Sequence, residues 1–181
     1  MTATPSVDDE QLDLAAGLKS ALRRLAGTVA IVTSRDSDGR PHGMAATAVV
    51  PVSMEPPSML VAVNRTAGLH PVLLRSGRYC INLLSDAQHA LLGPFSQTAL
   101  REQRFQSGDW RDVAPSTDER LPWLPAAPAS IECVVEQTLD HGTHTLFIGR
   151  VTQVRCAPRD AASAAPMVWL GGQPVRIARL D

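Results

Sequence analysis

Hydrophobic positions along this chain recur first at helical spacing and then, over most of its length, at the spacing of short strands. Near the N-terminus four leucines recur three or four residues apart: Leu14, Leu18, Leu22 and Leu25. This stripe predicts an amphipathic helix that Asp8 or Asp9 caps and that Gly27 ends, because glycine suits the left-handed position after a helix. Residues 1–10 are predicted to form a disordered tail, and residues 11–181 a single domain.

Six or seven short runs rich in β-branched and apolar residues predict strands. The predicted strands cover residues 28–34, 41–52, 58–63, 78–84, 130–140, 144–156 and 167–170. Short helices are predicted at residues 69–75, 86–92 and 98–105. Pro51 interrupts the second strand, which restricts it to a sheet edge, a bulge or a bend.

The predicted strands are joined mostly by hairpins, unlike the strand–helix–strand alternation of a parallel sheet. The pattern therefore predicts a mainly β fold with short helices, in which an antiparallel split β-barrel follows the N-terminal helix. Residues 108–128 are rich in Pro, Asp and Trp without a clear period, so we expect one long connection there. Connections of that length are often functional or cover another part of the structure.

Length and composition limit the chain to a few classes of protein. Its 181 residues, 44% of them hydrophobic, suit one domain with a sizeable core, and its formal net charge of -1 argues against a nucleic-acid scaffold. The N-terminus lacks the apolar segment of a secretion signal and the apolar runs are too short to cross a bilayer, so we expect a soluble cytoplasmic protein without membrane partners. The isolated cysteines, Cys80, Cys133 and Cys156, predict buried thiols in a reducing compartment rather than disulfides or a metal site.

The segment from His42 to Asn64 combines small residues, a serine and prolines with a final apolar run. Four consecutive small residues stand near its start: Ala45, Ala46, Thr47 and Ala48. In an extended segment such residues let the backbone approach a flat ligand closely and leave amides and a hydroxyl free to bond it. For this segment taken alone, an ordinary twisted strand with several alanines is the simpler interpretation.

His144 follows a turn at His141 and begins a strand. Such a histidine is usually a surface or turn residue, but near neutral pH it is also a good hydrogen-bond donor to an anionic or carbonyl group. No Cys or His lies at metal-ligand spacing from it, so no metal site is predicted. The sequence contains no G-x-S-x-G, no G-x-G-x-x-G after a strand and no P-loop, which argues against a nucleophile elbow, a Rossmann domain and a P-loop enzyme.

Without such motifs, a phosphorylated cofactor would depend on scattered hydroxyls, backbone amides and one or two cations. The candidates are Thr47, Ser53, Arg65 and Thr66. Each of them, taken alone, is also open to a purely structural role.

Four segments carry motif-like patterns in a fixed order. They read L-R-R-L-A-G-T-V-A-I-V-T-S, D-G-R-P-H-G-M-A-A-T-A-V-V-P-V-S-M-E-P-P, R-Y-C-I-N-L-L-S-D-A-Q and G-T-H-T-L-F-I-G-R-V. Taken together, they resemble the flavin reductase family of FMN-binding split barrels, over nearly the whole chain from about Leu18 to Gly172. The resemblance implies the split-barrel fold and an NAD(P)H-dependent flavin reductase, such as the reductase component of a two-component flavin monooxygenase.

The resemblance also implies which residues form the site. Those that would surround the flavin ring and its ribityl-phosphate are Met44, Ala45, Ala46, Thr47, Ala48, Val49, Val52 and Ser53. Those that would hold the phosphate end or the adenylate of FAD are Asn64, Arg65, Thr66 and His70, and Asn82 would join the cofactor site from a neighbouring strand. The nicotinamide side would be bordered by Leu170, Gly171 and Gly172, and by His144 as the catalytic residue.

Several positions depart from the family pattern. Ala45 stands in place of a threonine, Val49 in place of an aromatic residue and Pro51 in place of a serine. The closing turn L-G-G-Q lacks its aromatic residue, and G-T-H-T replaces G-D-H-T. These changes imply a looser site that releases flavin after reduction, or a different flavin preference.

The leading expectation is hydride transfer from NADH or NADPH to N5 of FMN or FAD, with the cofactors supplying the chemistry and the protein the position and electrostatics. Reduced flavin would then diffuse to a partner monooxygenase, and the resemblance implies a homodimer. One alternative is a flavin- or haem-binding split-barrel protein without turnover, used for sensing or carriage. Another is a β-barrel interaction module in which all the matched residues are structural.

Overall fold

A computed structural model describes residues 7–116, 120–158 and 165–177 of the chain. The described strands are β1 (Gly27–Thr28), β2 (Ala30–Arg35), β3 (Pro41–Ala46), β4 (Val49–Met54), β5 (Pro57–Asn64), β6 (Arg78–Leu83), β7 (Ala129–His141), β8 (His144–Cys156), β9 (Val168–Leu170) and β10 (Gln173–Val175). The described helices are α1 (Val7–Leu22), α2 (His70–Ser76) and α3 (Leu92–Ser96), with 3₁₀ helices at Asp86–Leu91 and Thr98–Gln103.

The strands form two sheets. Seven lie in the order β3-β2-β6-β7-β8-β5-β4, and three lie in the order β1-β9-β10. Every strand pairing among the described residues is antiparallel. This arrangement confirms the predicted mainly β, antiparallel fold with short helices and an N-terminal helix.

The chain crosses from one edge of the larger sheet to the other at residues 47–48. β3 ends at Ala46 on one edge and β4 begins at Val49 on the other. Three Cα–Cα steps keep these two residues within about 11 Å of each other, so the sheet must curl until its edges approach. The single strand predicted at residues 41–52 is therefore wrong, because the small residues mark a crossing between two strands. Pro51 lies on the edge strand β4, as its missing N–H requires.

β2 is buried on both faces, which explains its uninterrupted run of apolar and β-branched residues. On its inner face Ala30 and Val32 pack into the barrel core around Phe147. On its outer face Ile31 packs into a second core that includes Trp110. The second core fixes the segment that contains α3 and the 3₁₀ helices against the outside of the barrel.

The long connection predicted at residues 108–128 is held on the barrel by buried polar side chains of β2. Thr33 donates a hydrogen bond from its hydroxyl to the carbonyl of Pro122 at 2.5 Å. Arg35 donates from Nε to the carbonyl of Arg120 at 2.6 Å. These bonds hold the described parts of the connection, residues 108–116 and 120–128, against the barrel.

Two predicted helices need correction, and one short strand was not predicted. The helix expected at residues 86–92 is a 3₁₀ helix followed by α3, and the helix expected at residues 98–105 is a 3₁₀ helix. After the turn at residues 171–172 the chain forms a further strand, β10, which pairs with β9. These short elements are stabilised by packing on the barrel, which local sequence patterns do not report.

The cysteines divide into two groups. Cys80 and Cys133 are buried, as predicted. Cys156 is exposed, which corrects the prediction of a third buried thiol. It is the last residue of β8 and lies beyond the part of that strand that faces the core.

α1 begins at Val7 and ends at Leu22, earlier than the end predicted at Gly27. Residues 7–10, which were expected in a disordered tail, are therefore helical, and residues 1–6 of that tail lie outside the described residues. The four leucines of the predicted stripe are exposed, so the described part of the chain leaves this apolar face uncovered.

Candidate functional site

The crossover between β3 and β4 forms one wall of a cavity of about 160 Å³. The cavity is lined by Val29, Ala45, Ala46, Thr47, Leu92, Ser96 and Trp169. Small side chains on the crossover leave its backbone accessible, while two hydroxyls and one aromatic ring complete the lining. The volume is below that of whole-ligand pockets, so the cavity suits one flat part of a larger molecule.

Trp169 reaches this cavity because β9 pairs with β1, directly after the turn that follows α1. Gly27 pairs with Trp169 in this small sheet. Gly27 also lies against the crossover, since a Cβ at this glycine would be 3.5 Å from Thr47 Cβ. Sequence reasoning missed Trp169, and the only available signal was an aromatic residue just before the predicted closing turn.

A second opening of about 640 Å³ lies at the other end of β3. Its lining is mostly polar and comprises Asp36, Arg40, Pro41, His42, Gly68, Thr98, Arg101, Glu102, Arg104 and Phe105. We call this opening the arginine cleft. Phe95 packs on β3 between the two openings. Its ring lies directly against Gly43, where an added Cβ would be only 2.8 Å from Phe95 Cε1. The lining carries three arginines and two carboxylates, and this excess of positive charge favours an anionic ligand such as a phosphate.

Charged side chains of the arginine cleft are held in place by the protein. Asp36 accepts a hydrogen bond of 2.9 Å from His42 Nε2. Burial by itself would raise the pKa of Asp36, but this bond and two backbone N–H groups outweigh it and hold the pKa below its ordinary value. Arg104 donates from Nε to the carbonyl of Pro94 at 2.8 Å, and burial together with nearby Arg101 lowers its pKa. Sequence reasoning missed this cleft, because only the fold brings the second 3₁₀ helix beside β3.

The end of β5 and the β7–β8 turn are bonded to each other. His144 pairs with Asn64 across the β5–β8 ladder. Arg65 donates from Nη2 to the carbonyl of Gly142 at 2.5 Å. The Oδ1 atom of Asn64 accepts hydrogen bonds from the N–H and the hydroxyl of Thr66, both at 2.9 Å. The structure therefore brings four predicted site residues into one group.

The crossover at residues 47–48 borders the group formed by Asn64, Arg65, Thr66 and His144. Ala62 N donates to the carbonyl of Ala48 at 3.0 Å, and Ala62 stands two residues before Asn64 on β5. His144 is half-buried, and its Nδ1 atom lies 2.9 Å from the hydroxyl of Thr143. This contact orients the imidazole at the same end of β5 that the crossover reaches.

Other predicted flavin residues have different positions. Three of them pack against the barrel core: Met44, Ala46 and Val49. Val52 is exposed, and Ser53 pairs with Ser58 at the far end of the β4–β5 ladder. Ser58 and Asn64 are six residues apart on β5, about 20 Å of strand, and the Ser53 hydroxyl accepts from Glu55 N at 2.9 Å. Val52 and Ser53 are therefore not brought to the group around Asn64.

The predicted closing turn at Leu170, Gly171 and Gly172 lies beside Trp169. Leu170 is half-buried, and both glycines are exposed with φ of 64° and 91°, values that favour glycine. Gly171 N donates to the carbonyl of Arg23 at 2.9 Å. The turn is thereby fixed to the residues that follow α1.

His70 and Asn82 are predicted ligands that the structure buries. His70 Nε2 donates to the hydroxyl of Thr145 at 2.8 Å, and that hydroxyl donates to an oxygen of Asp140 at 2.5 Å. Asn82 is 0% exposed, and its Oδ1 accepts from Leu124 N at 2.9 Å. Both side chains use their polar atoms inside the fold, which favours a structural role, and the ligand role that the resemblance implies stays a prediction.

The described residues offer a cofactor hydrogen-bonding, aromatic and cationic groups, and no cluster of metal ligands. Within residues 7–116, 120–158 and 165–177, no three His, Cys, Asp or Glu side chains cluster as a metal ion would require. In that same part of the chain, no helix is both long and apolar enough to cross a membrane.

The two openings are lined by hydroxyls, accessible backbone, one tryptophan and several arginines. These groups fit the flat ring and the phosphate of a flavin nucleotide.

Known proteins of one family match most of the chain. The family model described as flavin reductase like domain matches residues 22–178. The reductase component of the FADH(2)-dependent resorcinol hydroxylase of Rhizobium sp. (strain MTP-10005) is 40% identical over 134 residues, 74% of this chain and 73% of that protein. The FMN reductase (NADH) RutF of Pantoea ananatis (strain LMG 20103) is 35% identical over 138 residues, 76% of this chain and 70% of that protein. The solved structure of a homologue of nitrilotriacetate monooxygenase component B from Mycobacterium thermoresistibile is similar to this one, with a TM-score of 0.81 at 24% identity. The match covers 93% of this chain and 89% of that chain, and it supports the fold.

Proposed function

The chain belongs to the flavin reductase like domain family, and we propose that it is an NAD(P)H:flavin oxidoreductase. It transfers a hydride from NADH or NADPH to FMN or FAD. The observation that carries this proposal is the small-residue crossover, which joins the two sheet edges and opens onto a cavity beside Trp169. The names of the two relatives, which refer to FMN, NADH and FADH(2), support flavin as the substrate and NADH as the donor.

The cavity end of the site would hold the flat ring of the flavin. Ala45 and Ala46 let the ring approach the backbone closely, and the hydroxyls of Thr47 and Ser96 offer hydrogen bonds to its polar edge. Trp169 provides an aromatic wall that compensates for the missing aromatic residue on the crossover. A flavin held here supplies a ring that accepts a hydride at N5, while the chain supplies its position and excludes water.

The arginine cleft would hold the phosphate end. Arg40, Arg101 and Arg104 line it, and guanidinium groups bind phosphate oxygens through charge-assisted, often bidentate hydrogen bonds. His42 at the cleft and Ala46 at the cavity are four residues apart on β3, about 13 Å of strand. One extended nucleotide could therefore contact both openings along the free edge of β3.

We also propose a setting for the reaction. Reduced flavin leaves the site and supplies a partner monooxygenase, in keeping with the name of the resorcinol hydroxylase relative as a reductase component. The protein acts in the cytoplasm, where free buried thiols such as Cys80 and Cys133 remain reduced. It acts as a homodimer, an arrangement that the uncovered stripe on α1 supports.

Oxidation of NADH by the purified protein, with and without added FMN or FAD, tests the proposed function. We expect rapid oxidation that depends on free flavin and produces reduced flavin in stoichiometric amount when oxygen is excluded. NADPH in place of NADH measures the donor preference. Absence of oxidation with either flavin and either nucleotide would refute the enzyme, and bound flavin without turnover would indicate a carrier or sensor.

Replacing Trp169 with alanine should raise the KM for flavin about 2- to 12-fold, because an aromatic contact is worth about 0.5–1.5 kcal/mol. The kcat at saturating flavin should change less than the KM, since His144 lies in the separate group of residues around Asn64. Steady-state NADH oxidation at varied FMN and FAD measures both constants. Trp123→Ala is the matched control, because this half-buried tryptophan lies under Arg155 at 4.4 Å rather than at the cavity. An unchanged KM in the Trp169 variant would place the ring elsewhere.

A further inference from the structure

The short helix α3 connects the two openings of the candidate site. Ser96, its last residue, lines the cavity below the crossover, and Thr98, two residues further on, lines the arginine cleft. The Phe95 ring packs α3 against β3, since a Cβ added to Gly43 would lie 2.8 Å from its Cε1 atom. A charged group that is fixed to α3 therefore stands at a set distance from a ring bound in the cavity.

Arg104 is the charged side chain that is fixed to α3. Its Nε atom donates to the carbonyl of Pro94 at 2.8 Å, and its guanidinium carbon lies 5.9 Å from the centroid of the Phe95 ring. Phe95 itself packs against Phe105 and Trp110, with ring centroids 5.1 and 5.4 Å away. The Nη1 and Nη2 atoms of Arg104 make no hydrogen bond to the described residues, so the forked end of the guanidinium faces the cleft with its donors available.

The other two arginines of the cleft already have acidic partners. Arg101 Nε lies 2.9 Å from Glu102 Oε1, and Arg40 Nη1 lies 3.7 Å from Asp38 Oδ2. All four of these side chains are exposed. In the part of the chain that the structure describes, no carboxylate forms an ion pair with Arg104. Arg104 therefore differs from its two neighbours in being both held in place and without a counter-ion.

The buried carboxylate of the cleft is bonded on its own side. Asp36 Oδ1 accepts from the N–H groups of Asp38 and Arg40 at 3.0 and 2.9 Å, and Oδ2 accepts from His42 Nε2 at 2.9 Å. These three bonds stabilise the carboxylate without a contribution from Arg104. The positive charge that the cleft offers to a ligand is then mainly that of Arg104.

We propose that Arg104 binds the flavin phosphate and thereby lets the protein distinguish FMN from riboflavin. This inference rests on the proposed function, which assigns the phosphate to the arginine cleft. A phosphate monoester carries about two negative charges at neutral pH, and Nη1 and Nη2 can donate to two of its oxygens at once. Because Arg104 is ordered before binding, its contact costs less conformational entropy than one from the exposed Arg40 or Arg101.

The surroundings of Arg104 also favour an anion beside it. Burial and the nearby charge of Arg101 both lower the pKa of Arg104, because they disfavour the charged guanidinium. A bound phosphate would act in the opposite direction and stabilise that charge.

An Arg104→Met variant tests the proposal, because methionine keeps an apolar stem over Phe95 and removes the charge and its donors. Quenching of flavin fluorescence during titration measures the Kd for FMN and for riboflavin without any turnover. The Kd for FMN should rise about 10- to 100-fold, as expected for the loss of charge-assisted hydrogen bonds. The Kd for riboflavin, which has no phosphate, should change little.

Two further arginine variants serve as comparisons. Arg101→Met removes a cation of the same cleft that Glu102 already pairs, and it should raise the Kd for FMN only about 2- to 3-fold. Arg150→Met is the matched control, because Arg150 pairs with Glu136 at 2.8 Å on β8 and lines neither opening. It should bind both flavins as the wild type does. Circular dichroism and melting temperature should show an intact barrel in all three variants.

Competition by inorganic phosphate tests the same contact in the unaltered protein. Phosphate should raise the apparent Kd of the wild type for FMN and leave that for riboflavin unchanged, relative to sodium chloride at equal ionic strength. The same addition should have no specific effect on FMN binding by Arg104→Met.

Three results would overturn the inference. They are an equal rise of both dissociation constants in Arg104→Met, an unchanged Kd for FMN in that variant, and a wild type that binds riboflavin as tightly as FMN. NADH oxidation is measured on the same samples. Oxidation by the wild type together with any of these results would refute the role of Arg104 and leave the enzyme standing. A loss of binding that is selective for FMN, without NADH oxidation by the wild type, would refute the enzyme and leave the role of Arg104 standing.

Discussion

An Asn82→Ala variant should lose about 3–4 kcal/mol of unfolding free energy, because several buried groups would lose their partner at once. Asn82 Nδ2 donates to the carbonyl of Ile31 at 3.1 Å. Its Oδ1 accepts from Leu124 N and from the Ser130 hydroxyl, both at 2.9 Å. All of these groups are buried, so water cannot replace the carboxamide. Urea unfolding followed by fluorescence and circular dichroism measures the loss.

Asn64→Ala is the matched control for this loss. The Asn64 carboxamide bonds to Thr66 in an exposed turn, so its removal should cost less than about 1 kcal/mol. The two variants also separate the structural role of Asn82 from the ligand role that the resemblance implies. If Asn82→Ala kept its stability and instead raised the KM for flavin, Asn82 would be a cofactor ligand.

Local sequence patterns predicted the long hairpins because strand pairing within a hairpin depends on neighbouring residues. The β7–β8 hairpin is an example, with alternating residues on both sides of the turn at Gly142. The small sheet shows the limit of this reasoning. Gly27 pairs with Trp169, and residues so far apart in the chain leave no periodic signal of their contact.

The crossover shows a second limit. Pro41 to Val52 read as one strand because β-propensity does not report the partner of each half. Ala46 pairs with Ala30, whereas Val49 pairs with Val61. The small residues were singled out in the sequence as a segment that a flat ligand would approach, which stays a prediction, and their role in joining the sheet edges emerges only from the topology.

The candidate site was predicted from a resemblance of motifs, and the structure separates its members by their surroundings. Asn64 and His144 come together because β5 pairs with β8. His70 and Asn82 are polar residues in the same motifs, yet they are buried and bonded inside the protein. A polar residue in a strand has the same sequence signature in both cases. Only its burial and its partners distinguish a ligand from a structural group.

A His144→Ala variant should lower kcat for flavin reduction about 5- to 150-fold, with little change in flavin affinity. The expected loss is that of one charge-assisted hydrogen bond, about 1–3 kcal/mol. This expectation rests on the proposal that His144 lies on the nicotinamide side, where it would orient the donor or favour the negative charge of the reduced ring. His144 is half-buried at the start of β8, and its Nδ1 atom lies within hydrogen-bond distance of the Thr143 hydroxyl. Rapid mixing of the flavin-bound protein with NADH measures the hydride step directly.

His141→Ala is the matched control, because His141 lies across the same hairpin turn and pairs with His144 but is exposed. It should retain the wild-type rate and melting temperature. Flavin titration by fluorescence quenching should give similar dissociation constants for both variants and the wild type. Since the pairing of β5 with β8 uses backbone groups, His144→Ala should keep the position of Asn64 and Arg65, and a loss of rate can then be assigned to the imidazole. An unchanged hydride-transfer rate in His144→Ala would show that the position of the nicotinamide and the charge of the reduced ring are controlled by other groups.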